Sequence, residues 1–190
     1  VGGHRDDYPQ VITSRLPIDN VKRIGGRKDN PICHGAGWAT VTVGGHRINL
    51  VTFHAWPLGW KFDCWNPEER RKASIAAHGG DFQRRDEIEQ LCAETILRRS
   101  AETGDLWLMA GDFNAGARTD NAWSRLPEDD PSFMLHDWIA EHTPYVDIVK
   151  RMHPDAFRPS VFNDRPGYGY KGGRRIDFVY LTPELANHAV

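Results

Sequence analysis

Apolar and polar residues alternate along "HGAGWATVTVGGHRINLVTFHAWP", residues 34 to 57, and the alternation is interrupted only by Gly44-Gly45. That pattern predicts two half-buried strands joined by a tight turn, a β-hairpin. Ahead of it, "QVITSRLPI" reads as a short β-rich run ended by Pro17. The stretch from 55 to 80 carries Trp56, Trp60 and Trp65 among prolines and glycines, keeps neither period, and reads as a long surface loop.

Between Asp81 and Ser100 the period changes. Ile88, Leu91, Cys92, Thr95 and Ile96 recur at helical spacing with Arg and Glu between them, which predicts a helix. The strand "DLWLMAGDFN" follows, then a polar connector, "ARTDNAWSRLPEDDP", and a second helix whose apolar stripe is Met134, Leu135, Trp138 and Ile139. A short "YVDIV" run, a basic loop over 163 to 175 and the strand "IDFVYLT" complete the chain. Strands and helices alternate without repeats, so the expected class is a layered α/β protein.

Composition changes this picture little. A chain of 190 residues, 39% hydrophobic and 26% charged, suits one globular domain. The formal net charge of -2 supplies no global field for a polyanion, so nucleic acid is not the favoured partner unless a local basic patch holds it. Cys33, Cys64 and Cys92 lack the paired spacing of a zinc or redox site and read as core or half-buried thiols. No run approaches the roughly 20 apolar residues of a membrane span, and no targeting segment is legible. Gly35 and Gly37 resemble the start of a dinucleotide fingerprint, but Thr40 takes the place of the third glycine and a strand follows instead of a helix.

The candidate chemistry sits where apolar strands end in polar residues. In an extended backbone Asp112 and Asn114 share a face while Phe113 turns to the core, and Gly111 lets the chain bend or another group approach. A carboxylate can take a proton from water, and an amide offers a neutral donor and acceptor beside it. An Asx turn would explain the same two residues on purely local grounds, and G-D-x-N alone does not decide. Two more strands shift the balance: "INLVTFHAWP" ends its apolar run at His54, and "RRIDFVYL" sets Asp177 inside a run that otherwise reads as buried strand. An acid there is costly unless paired.

Together "VITSRLPI", "INLVTFHAWP", "AGDFNA" and "RRIDFVYL" resemble the successive motifs of the endonuclease/exonuclease/phosphatase superfamily, metal-dependent phosphoesterases with a deoxyribonuclease I-like fold. The resemblance implies a four-layer α/β sandwich, two packed mixed β-sheets flanked by helices, here as one domain truncated at both ends. By the same resemblance His54 contacts phosphate or transfers a proton, Asp112 orients or deprotonates the attacking water, and Asn114 hydrogen-bonds the phosphoryl oxygens. Asp177 is similar to the acid that orients a second histidine. Ala55 stands where the family has leucine. The family's Ser-Asp-His motif and its N-terminal asparagine and metal-binding glutamate have no counterpart in the chain, so the resemblance implies that the fragment alone is inactive or nearly so.

Mg²⁺, with Mn²⁺ as a substitute, is the implied cofactor, and Asp112 and Asn114 are then its secondary ligands. Arg15, Arg174 and Arg175 are candidate substrate-binding residues. The loop 163 to 175, with Arg165, Lys171, Arg174 and Arg175 against Asp164, has a net charge of +3 and adjoins Asp177. Trp56, Trp60 and Trp65 suit either stacking on a substrate or capping a core. Three functions fit: a phosphodiesterase or phosphatase acting on a phosphate ester, a nuclease acting on DNA or RNA, and a non-catalytic module that retains the fold.

Overall fold

A computed structural model describes residues 10–25, 32–64, 66–98, 105–162 and 173–190. Trp65, Arg165, Lys171 and most of the basic loop lie outside the described residues. Six strands form one mixed sheet: β1 (Asp19–Ile24), β2 (Ala36–Val43), β3 (His46–His54), β4 (Leu106–Asp112), β5 (Val146–Asp147) and β6 (Asp177–Leu181), in the order β1-β2-β3-β4-β6-β5. The β2–β3 hairpin forms as expected, with Gly44 and Gly45 at φ of 57° and 83°, the left-handed pair that a two-residue turn between twisted strands requires. Only β3 and β4 run parallel; every other neighbouring pair is antiparallel.

The parallel pair needs a crossover, and residues between them supply α1 (Glu68–Ala76) and α2 (Gly79–Glu94). Later come α3 (Asn121–Ser124), α4 (Met134–His142), α5 (Ile148–Met152) and α6 (Pro183–Ala186). Helix α2 buries Ile88, Leu91 and Cys92, as its periodicity predicts, and burial pushes the Cys92 thiol up to about 12. Helix α4 buries Leu135 and Ile139 from its stripe. Both helices join Trp38, Phe53, Trp107 and Phe178 in the main core on one face of the sheet. On the opposite face Leu108, Val179 and Leu181 pack against α5 and α6 through Ile148, Val149 and Leu185.

Three expectations need correction. The run 10–18 is not a strand: the Leu16 amide donates to the Ser14 hydroxyl at 2.9 Å in a bend, and the strand begins after Pro17. That strand, DNVKRI, is a polar edge with only Ile24 buried, so hydrophobic patterning could not reveal it. The 55–80 excursion is not all loop, because α1 spans nine of its residues. It buries none of them and leaves no apolar stripe to read; Glu68 and Glu69 at its positive end and a Glu68–Lys72 ion pair of 2.8 Å support it instead. Finally, the α/β class and the mixed sheet flanked by helices hold, but the described residues contain one sheet, not two.

Candidate active site

Backbone register assembles the site. His54 ends β3 directly opposite Asp112 at the end of β4, and Asp112 lies opposite Asp177 at the start of β6. Strand alternation turns all three onto the face shared by Leu50, Leu108 and Val179, away from the main core. His54 Nε2 is 3.8 Å from Asp112 Oδ2. One histidine and two carboxylates thus form a row across three adjacent strands, at one rim of the sheet.

Gly111 makes that row geometrically accessible. A Cβ at this position would lie 1.8 Å from the carbonyl oxygen of Phe53, its partner on β3. Only glycine lets the two backbones pair one step before His54 and Asp112 meet. Phe113, fully buried, then anchors β4 in the core by edge-on contacts with Phe53 and Phe178.

Asn114 joins the row by a different route from the expected pleat. The strand ends at Asp112, and Asn114 has φ of 48°, so a turn positions it. Its amide N–H donates to Asp112 Oδ1 at 2.8 Å, and its side-chain Nδ2 donates to the Ala55 carbonyl at 3.1 Å. The Asx turn and the site are therefore the same feature: the turn holds the carboxylate and delivers the amide beside it.

Electrostatics set the protonation of the pair. Burial lowers the His54 pKa, with the charges of Asp112 and Asp177 pulling it back up. Burial also raises the Asp112 pKa; the Asn114 N–H and His54 oppose this, and Asp177 reinforces it. Desolvation outweighs attraction in both, which leaves a neutral imidazole beside a carboxylate more basic than an ordinary one. Asp177 is exposed at the mouth of its strand, not buried within it, so the expected burial cost does not arise; its amide donates to Ser160 Oγ at 3.1 Å.

The arginines separate. Arg174 lines a cavity of about 350 Å³ together with Asn114, Arg84, Ser132, Pro57 and Ile176. Arg175, in contrast, is 5% exposed and turned into the protein. Its Nε donates to Asp120 at 2.7 Å, its two terminal nitrogens grip Asp147 at 3.0 and 2.6 Å, and its guanidinium lies 4.2 Å over the Phe178 ring. Each of its three nitrogens is bonded to an aspartate within the fold, which corrects its expected role with substrate. Arg15 is exposed in the bend before β1 and is not at a strand end. Trp56 is a core residue, 3% exposed, and Trp60 packs under the Arg71 guanidinium at 5.2 Å.

Behind the rim lie residues that sequence reasoning missed. Glu87 of α2 is fully buried and accepts the Cys33 N–H at 2.9 Å on one oxygen and the Trp56 N–H at 2.7 Å on the other. Burial pushes its carboxyl up to about 8, against the pull of those two N–H donors and of Arg84. Arg84 donates to the carbonyl oxygens of Trp56 at 2.9 Å and Leu58 at 3.3 Å and pairs with Asp81. Both charges occupy the buried phase of the helix, one turn and the next before Leu91, and that misplacement is the signal in the sequence. His34 stacks on His54 at 4.7 Å between ring centroids.

No family model and no curated protein matches the chain. Among solved structures it is similar to an AP endonuclease from Archaeoglobus fulgidus, with 21% identity, a TM-score of 0.49, and coverage of 80% of this chain and 55% of that one. It is also similar to truncated TDP2 from Caenorhabditis elegans, at 14% identity and a TM-score of 0.49 over 90% of this chain and 54% of that one. A third is an endonuclease/exonuclease/phosphatase family protein from Leptotrichia buccalis, at 15% identity and a TM-score of 0.49 over 90% and 52%. The chain spans about half the length of these structures. The order of the motifs in the chain is what resembles the endonuclease/exonuclease/phosphatase superfamily, the family that the third of these structures is named for.

Proposed function

We propose that this rim is the catalytic edge of a phosphoesterase that hydrolyses a phosphate ester by attack of an activated water. One observation carries the reading: His54, Asp112 and Asp177 stand side by side on three adjacent strands, with Asn114 held against Asp112. Three separate structural coincidences would not place all four on one rim.

The chemistry assigns each group a step. The Asp112 carboxylate, made more basic by desolvation, takes a proton from water as the water oxygen attacks phosphorus. The ester P–O bond opens on the far side, and the leaving oxygen takes a proton from solvent. Neutral His54 offers an N–H to the developing charge, and the second Nδ2 hydrogen of Asn114 points the phosphoryl group. Arg174, at the wall of the adjoining cavity, balances the charge of the phosphate, and the cavity receives the rest of the ester.

Mg²⁺, with Mn²⁺ as a substitute, is the ion that the resemblance implies; bound beside the phosphate, it would neutralise charge there. Among the described residues no three His, Cys, Asp or Glu side chains gather to hold a metal ion. Asp112 and Asn114 are therefore an incomplete ligand set, and no step is assigned to the ion. The test is hydrolysis of an aryl phosphodiester by the complete protein and by its Asp112→Ala variant, each titrated with Mg²⁺. Loss of turnover in the variant supports the reading, and equal rates overturn it. A steep fall of rate with salt on DNA, and not on the small ester, would move the reading to a nuclease.

A further inference from the structure

Glu87 takes no part in the chemistry above, yet it is the least expected charge in the protein: a carboxyl with no exposure in the centre of α2. Its two oxygens are divided between two segments that are far apart in sequence. One accepts from Cys33, just ahead of β2, and the other from Trp56, just beyond β3. Each amide is adjacent to a ring. His34 follows Cys33, and its imidazole stacks with Trp56 at 5.5 Å and with His54 at 4.7 Å. The amide of Ala55, between His54 and Trp56, donates to the Asp112 carbonyl at 2.8 Å, so the same few residues tie the ring stack to β4.

From this arrangement we infer that Glu87 is a positioning residue of the rim: by gripping the backbone at both ends of the His34–Trp56 stack, it fixes the ring of His54 against Asp112. The helix supplies the rigidity. Glu87 sits between Arg84, itself bonded to the Trp56 and Leu58 carbonyls, and Leu91 in the core, so the clamp is anchored on a helix packed into the main core. A bond to one segment alone would order a loop. Bonds to both set the separation between them, and with it the contact of the His34 imidazole with Trp56 and His54.

The inference rests on the proposed function only in the importance given to His54; the placement itself can be read without turnover. The experiment is NMR on the full chain, comparing His54 ring-proton shifts and amide exchange at Cys33 and Trp56 at one fixed pH. Glu87→Leu keeps volume and removes both acceptors. It should speed exchange at both amides by about tenfold or more and shift the His54 ring protons as the stack loosens. Glu87→Gln keeps one acceptor and should rescue part of each effect. Leu91→Ala, a core deletion on the same helix, should lower stability while leaving the His54 shifts in place. If Glu87→Leu does not fold, His34→Ala should move the His54 shifts with the clamp intact. Unchanged His54 shifts in Glu87→Leu, or in His34→Ala, overturn the inference, as does an equal change in Leu91→Ala. Absence of phosphoesterase activity in the complete protein would overturn the proposed function and leave this result standing.

Discussion

Replacing Gly111 by alanine tests whether strand contact, rather than side-chain reach, holds the rim together. The new Cβ would lie 1.8 Å from the Phe53 carbonyl oxygen and 2.8 Å from its carbonyl carbon. Both are backbone atoms within a ladder, so neither can rotate aside. An unstrained carbon–oxygen contact needs about 3.4 Å, so β3 and β4 would have to part locally by about 1.5 Å. That stretches the neighbouring ladder bonds past useful length. Losing two or three of them at about 1 kcal/mol each gives a cost of about 3 kcal/mol. For a chain of this size the melting temperature should fall by about 6 to 12 °C.

Gly45→Ala is the control. Gly45 has φ of 83° but nothing within 4 Å of an added Cβ, so it carries backbone strain without a clash. Its cost should stay near about 1 to 2 kcal/mol. Urea and thermal unfolding of both variants measure the difference. Activity supplies a second reading, because His54 and Asp112 are the next pair along the same ladder and a displacement of about 1 Å costs about 100-fold in rate. If Gly111→Ala unfolds with the same midpoint as Gly45→Ala, the close approach is not what the sheet depends on, and the reasoning fails.

Other predictions follow from the same geometry. Asp177→Asn removes a negative charge that raises the pKa of both Asp112 and His54, so the acid limb of the pH–rate profile, and the His54 titration seen by NMR, should both move to lower pH; movement in opposite directions would contradict the assigned couplings. Arg175→Met leaves the buried Asp120 and the half-buried Asp147 without their cation and should cost about 3 kcal/mol in urea unfolding, whereas Arg174→Met should be nearly neutral in stability and should raise KM. Glu87 has a folded pKa of about 8 against an ordinary 4.5, so its stabilising contribution is complete below the ordinary value and is lost as pH rises through about 8. Urea midpoints measured across that window should fall with pH in wild type and lose that component in Glu87→Gln.

The elements that bury an apolar face were legible in the sequence. The hairpin, α2, α4, β4 and β6 each carry the period of the face they bury. Edge strand β1 and helix α1 bury almost nothing, so no hydrophobic pattern marks them. His54, Asp112, Asn114 and Asp177 could be picked out because each interrupts or ends an apolar run. Their neighbours Glu87 and Arg84 could have been found by the converse sign, charges on the inward phase of an amphipathic helix. Arg174 and Arg175 show where reading stops: adjacent residues of one type, one facing a cavity and the other locked between two aspartates, distinguished only by the direction of each side chain. His136 makes the same point, since it is a core residue whose ring bonds the Tyr180 hydroxyl at 2.7 Å and whose pKa burial pushes down to about 3.

The parallel pairing of β3 and β4 has a consequence for how this protein can vary. His54 and Asp112 face each other because two ladders are in register, and within the long connection it is Ala55, Trp56 and Glu87, not α1, that bear on the pairing. The connection can therefore gain or lose residues in α1 or its flanking turns without altering the distance between imidazole and carboxylate. A slip of a single step in the ladder, by contrast, would send one partner through to the opposite side of the sheet. Tolerance to insertion and sensitivity to register should then sit next to each other in the same chain, the first across the excursion after Pro57 and the second at the last residues of two strands.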